Sequence, residues 1–198
     1  EVAIPLQAKA CKSFLAKRMK EKIKALFFNE SLKRWHFEEI VKEAGMSRER
    51  INHFLKELLN EDFIKKTKKK GRMPYYTANR DLPKFRNEKR LYGLSILEKS
   101  GLFEHLNNIK KIKTAILFGS FARGDWSKSS DIDIFIYGDD KDFYEAEFEA
   151  KLNREIQTLS YEDPKKIKKE LDPKLIPNII KGFYIKENIE PFEVSINA

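Results

Sequence analysis

Apolar positions recur at three- and four-residue steps from about Lys9 to Asn29, at Phe14, Leu15, Met19, Ile23, Leu26 and Phe27, with lysines on the intervening positions. That spacing predicts a long helix with one apolar stripe. Phe37, Ile40, Val41 and Ala44 predict a second, short helix over 37–44. Gly45 suits its C-cap, and Ser47 suits the N-cap of a third helix, Arg48 to Asn60, with Ile51, Phe54, Leu55, Leu58 and Leu59 inward. The pattern then changes period. Phe63–Thr67 and Tyr75–Ala78 are β-prone runs around the loop Lys68-Lys69-Lys70-Gly71-Arg72-Met73-Pro74, which predicts a hairpin. A helical pattern returns from Lys84 to about Ser100, carrying Phe85, Leu91, Leu94, Ile96 and Leu97, with Pro83 in the first turn and Gly101 at the end. Leu102–Asn107 continues it, and the segment reads as packed between two modules rather than as a free linker.

In the second half, Thr114–Phe118 is an apolar run of strand length that ends at Gly119-Ser120. Ten residues later Asp131-Ile132-Asp133 opens another run, Ile134–Tyr137. A helix over Lys141–Asn153, a strand over Glu155–Ser160, a helix over Leu175–Lys181 and a strand over Gly182–Ile185 follow. Pro191–Ala198, with Phe192 and Val194, reads as a last strand, and Glu193 as a surface carboxylate.

An apolar content of 41% across 198 residues excludes a collagenous or wholly disordered chain and allows one large or two small domains. A single cysteine, Cys11, excludes an intramolecular disulfide framework and a multi-cysteine zinc site, and fits a reducing, cytoplasmic setting. No apolar run approaches the ~18–20 residues of a membrane span, so no membrane partner is expected. The chain begins at Glu1, which leaves a removed leader open. The net charge of +9 becomes informative once it is divided. Residues 1–112 carry 27 basic and 14 acidic side chains, a net of +13, whereas residues 113–198 carry 13 and 17, a net of −4. The two halves call for different partners or different chemistry.

The basic half, from Phe37 to Ala78, resembles the winged helix-turn-helix domains of prokaryotic regulators. The resemblance implies double-stranded DNA as a partner, with the Arg48–Asn60 helix in the major groove. Arg48, Arg50, Asn52, His53 and Lys56 would then reach phosphates or base edges, while Lys68, Lys69, Lys70 and Arg72 would supply phosphate contacts from the wing. A dimerisation or protein-contact module is the alternative, and a homodimer is compatible with either. His36, His53 and His105 show no metal-ligand spacing.

In the acidic half, residues two apart on a strand share a face, so Asp131 and Asp133 project together while Ile132 and Ile134 turn to the core. Two such carboxylates repel unless a cation lies beside them, and hard oxygen ligands suit Mg²⁺ or Mn²⁺. Gly119 allows close backbone approach, and a helix beginning at Ser120 and Phe121 would offer free N–H groups to a phosphate. The run GSFARGDWSKSSDIDIFI, a GS-x10-D-x-D pattern, resembles the minimal nucleotidyltransferases of the DNA polymerase β-like superfamily, over roughly Lys113 to Asn188. The order of the two modules resembles a set of predicted archaeal nucleotidyltransferases. The resemblance implies an α+β chain with three parts. These are a winged helix-turn-helix over 1–82, connecting helices over 83–112, and a nucleotidyltransferase domain with a mixed sheet and α/β layering over 113–198. It also implies that Gly119, Ser120 and Arg123 bind the triphosphate of an NTP, with ATP the expected one, and that Asp131 and Asp133 are the catalytic metal ligands.

One departure bears on activity. The family's third carboxylate, on the following strand, falls on Gln157, and an amide can neither neutralise two cations nor take a proton near neutral pH. Glu155 shares that strand face two residues away and could substitute only in a different register. Three functions follow. The first is transfer of a nucleoside monophosphate to a hydroxyl acceptor. The second is a DNA-binding regulator that only senses nucleotide. The third is an antitoxin-like partner of a small helical toxin.

Overall fold

The computed structural model describes residues 6–187, with side chains from residue 14 onward, so Cys11 and the strand expected over Pro191–Ala198 lie outside the described side chains and residues. The chain divides into two units, Glu1–Phe85 and Arg86–Ala198.

In the first unit, α1 (Leu6–Asn29) packs on α2 (Phe37–Ala44) and α3 (Arg48–Asn60). Its apolar stripe is buried only in the later turns. Ile23, Phe27 and Phe28 are covered, whereas Phe14 and Leu15 are 67% and 44% exposed. The periodicity had placed those two on the apolar stripe, but among the described side chains of the stripe the buried ones begin at Ile23. Glu39 closes the start of α2 by accepting from the His36 N–H at 2.7 Å, and this hydrogen bond holds its carboxyl below the usual range. Gly45, at φ +60°, ends the helix. The Ser47 side chain accepts from Arg50 N–H at the start of α3. Behind α3, Lys20 forms ion pairs with Glu57 and Glu61 that fasten α1 to it.

The hairpin forms as β2 (Ile64–Thr67) and β3 (Tyr75–Ala78), paired antiparallel. A third strand that the hydropathy pattern does not reveal, β1 (Trp35–His36), pairs with β3, which gives the sheet order β1-β3-β2. Two residues are too few to display a period. The core beneath holds Ile40, Ile51, Phe54, Leu55, Leu58 and the aromatic trio Phe28, Phe63 and Phe85, whose ring centroids lie 4.9–5.7 Å apart.

α4 (Pro83–Lys99) crosses the division between the units, and α5 (Leu102–Asn108) follows. The buried positions of α4 are Phe85, Lys89, Gly93 and Leu97, each four residues from the next. Leu91, one of the apolar residues of the helical pattern, is 66% exposed. The true stripe includes a lysine and a glycine, so an apolar pattern could not find it.

The second unit is built on a four-stranded mixed sheet, order β6-β5-β4-β7, made of β4 (Ile112–Phe118), β5 (Ile132–Gly138), β6 (Ile156–Tyr161) and β7 (Phe183–Lys186). β4 pairs antiparallel with β5 and β7, and β6 runs parallel to β5 after the crossover through α7 (Glu145–Leu152). β4 and β5 are buried along almost their whole length, as a sheet covered on both faces requires. One face, with Ile116, Phe118, Phe135 and Tyr137, packs with α8 (Pro164–Glu170) and α9 (Ile176–Ile180) through Ile167, Leu171 and Ile179. α7 starts four residues later than the apolar pattern suggests. Asp139 accepts from Lys141 N–H and Phe143 N–H donates to the Asp140 carbonyl, so residues 139–143 form turns instead. α8 was not anticipated, although Asp163 caps it and Pro164 opens it. No helix among the described residues is long and apolar enough to cross a membrane.

Candidate functional site

β4 delivers the chain to Gly119 at its C-terminal end, and β5 begins beside it, with Phe118 opposite Asp133. Gly119 has φ +68°, a conformation L side chains rarely adopt. A Cβ there would fall 1.9 Å from Asp133 Oδ2. The glycine is therefore needed twice, for the turn and for the carboxylate lying against its Cα. The Ser120 N–H donates to the Asp133 carboxylate. The short helix α6 (Gly119–Arg123) spans five residues, so the Ser120 N–H expected to face a phosphate is occupied by Asp133.

Asp133 is half-buried. Desolvation is the main reason its carboxyl is held above the usual range, and the negative charge of Asp131 adds to it. Arg123 and the Ser120 hydrogen bond pull the other way. Asp131 stands just before β5, not on it. Across the parallel pairing, Gln157 of β6 lies opposite Asp133, and its Nε2 donates to Asp131 Oδ2 at 2.8 Å. Asp131, Asp133 and Gln157 are thus gathered on one side of the strand ends. Glu155 precedes β6 with an exposed side chain, and its carbonyl accepts from Ile132 N–H. Arg123 is exposed and donates from Nε to Asp125 at 3.1 Å. Among the described residues no group of three or more His, Cys, Asp or Glu is placed to hold a metal ion.

Two cations that the sequence does not advertise hold the loop between Gly124 and Asp131. Arg154, after α7, donates from Nη1 to the carbonyls of Ser127, Lys128 and Ser130 at 2.8–2.9 Å, and its guanidinium lies over the rings of Phe121 and Trp126. Desolvation lowers its pKa, and Asp131 opposes that effect. Lys89 of α4, 2% exposed, donates to the Trp126 carbonyl at 2.5 Å and sits over the Trp126 ring. Trp126 stacks on Phe121 with centroids 5.0 Å apart. No local pattern marks either cation, because each finds its partners 24–37 residues away.

In the first unit, Arg48, Arg50, Asn52, His53 and Lys56 all lie on the exposed face of α3. Arg48 donates to Glu38 at 2.6 Å, and His53 Nε2 lies 3.1 Å from Glu57. These two would have to leave acidic partners to reach a phosphate. Lys68, Lys69, Lys70 and Arg72 are exposed on the β2–β3 loop.

Residues 101–190, which hold this site, match the family model described as "Polymerase beta, Nucleotidyltransferase". A Methanocaldococcus jannaschii protein named "Putative protein adenylyltransferase" is 49% identical over an alignment of 47 residues that covers 21% of this chain and 47% of that protein. The chain thus spans about half the length of this relative. Both findings support the nucleotidyltransferase superfamily for the second unit.

Proposed function

We propose that the second unit binds a divalent-metal NTP and transfers its nucleoside monophosphate to a hydroxyl acceptor, with release of pyrophosphate and a proton, and that the first unit is a winged helix that binds double-stranded DNA. The observation that carries the first part is the packing of Asp133 against Gly119 with Asp131 alongside. The charge of Asp131 adds to the desolvation that holds the Asp133 carboxyl up, and such a pair suits a hard cation, so Asp131 and Asp133 would hold Mg²⁺ or Mn²⁺. Such an ion neutralises phosphate charge and polarises the α-phosphoryl group. Gly119 would lie beside the triphosphate, and Arg123 would exchange Asp125 for a phosphate oxygen. The name of the archaeal relative directs the acceptor towards a protein side-chain hydroxyl. The DNA reading rests on the helix–strand–helix–helix–hairpin order, the exposed polar face of α3 and the basic loop.

With α-labelled ATP and Mg²⁺ or Mn²⁺, label is expected to pass to a protein acceptor in a lysate and to stop doing so in Asp131→Ala/Asp133→Ala. Absence of transfer with every NTP and either metal would reject the enzyme. A second reading is favoured by Gln157, which occupies the register position opposite Asp133 and lends Asp131 an amide proton. On it the unit binds the metal–nucleotide without turnover. Nucleotide binding by calorimetry without transfer, together with transfer gained in Gln157→Asp, selects this reading.

A further inference from the structure

Arg34, His36, Lys69, Arg72, Met73 and Tyr75 line an open cavity of about 170 Å³ in the first unit. The fold makes it by pairing β1 with β3. The pair His36↔Tyr75 brings the residues before α2 beside the far strand of the hairpin, and the turn in which Arg72 N–H donates to the Lys69 carbonyl folds the loop over them. The guanidinium of Arg34 lies 5.3 Å from the centre of the Tyr75 ring. His36 Nδ1 is 3.1 Å from the Pro74 carbonyl oxygen. That oxygen can only accept, so in this contact Nδ1 is the donor. Arg34, Lys69 and Arg72 have no ion-pair partner among the described residues, although Lys33 next to Arg34 and Lys65 on β2 do. Three unneutralised cations held around one cavity repel each other, and an anion relieves that repulsion. Two arginines present the forked donor geometry that matches a phosphate, while Met73 and Tyr75 offer an apolar floor to whatever the phosphate is attached to.

We propose that this cavity is a binding site for a phosphate ester whose sugar or other organic part rests on Met73 and Tyr75. The phosphate belongs either to a free nucleoside monophosphate or to a nucleic-acid backbone. The site stands whether or not α3 enters a DNA groove, and it is separate from the carboxylates of the second unit.

The chain has three histidines, so the His36 ring signals can be assigned by comparison with His36→Asn and followed by NMR on the full chain. The probes are inorganic phosphate, AMP and a short DNA duplex, each added without divalent metal. A shift of His36 by AMP and phosphate, weakened about tenfold or more in Arg34→Ala/Arg72→Ala, supports the site with a free ester as ligand. A shift by the duplex alone, lost in the same variant, supports it with the backbone as ligand. Lys42→Ala, an exposed charge elsewhere in the unit, serves as the control for general electrostatics. The proposal is overturned if no probe moves His36, or if the double arginine variant binds every probe as tightly as the Lys42→Ala control.

Discussion

Gly119 and Asp133 form one device. The carboxylate is held where a Cβ on residue 119 would lie, so shape and charge at this point cannot be changed separately. In Gly119→Ala the methyl group meets a carboxylate 1.9 Å away in a backbone conformation with φ +68°. The expected result is a loss of about 1–3 kcal/mol of stability, with metal–nucleotide binding abolished, measured by denaturant unfolding and calorimetry. Asp133→Asn gives the opposite sign for stability. Because the folded state holds the Asp133 carboxyl above its ordinary value, it binds that proton more tightly than the unfolded chain. Stability therefore falls as pH rises from the ordinary carboxylate range through the raised value, and the deficit persists above it. In chelator, Asp133→Asn is expected to unfold at higher denaturant than the parent at neutral pH. The difference should vanish below about pH 3, where both states of the parent hold the proton. A variant less stable than the parent at neutral pH would show that the Ser120 hydrogen bond outweighs desolvation at this carboxylate.

At the scale of elements, the loop from Gly124 to Asp131 is shaped by groups remote in sequence. Arg154 gathers three of its carbonyls, and Ser127 N–H donates to Ser130 Oγ at 2.8 Å within it. Arg154→Ala is expected to speed amide exchange across 127–131 by about tenfold or more and to weaken metal–nucleotide binding, since a loose loop no longer presents Asp131. Arg154→Lys should recover little, because a single ammonium does not reproduce the planar contact with Phe121 and Trp126. Unchanged exchange in Arg154→Ala would remove the residue from this role. Lys89→Met tests the neighbouring tie. It keeps most of the packed stem but leaves the Trp126 carbonyl without this donor, at an expected cost of about 1–3 kcal/mol in denaturant unfolding.

These same elements mark how far the sequence could be read. α2, α3 and both hairpin strands were legible because caps, turns and periods are local, and so was the GS-x10-D-x-D run that joins β4 to β5. β1 was not, because its only reason to be a strand is a partner forty residues away. The buried stripe of α4 was hidden by Lys89 and Gly93, which are inward because Trp126 lies against them: a Cβ on Gly93 would stand 2.9 Å from the indole nitrogen. Asp163-Pro164 was a readable start for α8 that the surrounding lysines obscured. The position of Gln157 on the strand beside the carboxylates was read from the resemblance, whereas the hydrogen bond from its amide to Asp131 needed the fold.

For the whole molecule, charge follows the division into units. Residues 1–85 carry a net of +10 and residues 86–198 a net of −1. If the first unit binds duplex DNA through phosphates, affinity must fall linearly with the logarithm of salt, with a slope set by the number of phosphates neutralised. Removing Lys68, Lys69 and Lys70 together is expected to reduce that slope by about 2–3, nearly equally for any duplex sequence, because such contacts position the protein without reading bases. Asn52→Ala on α3 should instead leave the slope unchanged and flatten the preference between duplexes, since a neutral amide releases no counterion but can read a base edge. The carboxylates should be silent in both measurements. Asp131→Ala/Asp133→Ala is expected to keep the parent's slope while losing metal–nucleotide binding, and the triple lysine variant to keep metal–nucleotide binding while holding DNA more weakly and with the reduced slope. Fluorescence anisotropy with labelled duplexes across a salt series, run beside nucleotide calorimetry on the same four full-length proteins, makes the separation measurable. A triple lysine variant with the parent's slope would remove the loop from DNA binding. A slope altered by the aspartate variant would show that the two units do not act separately.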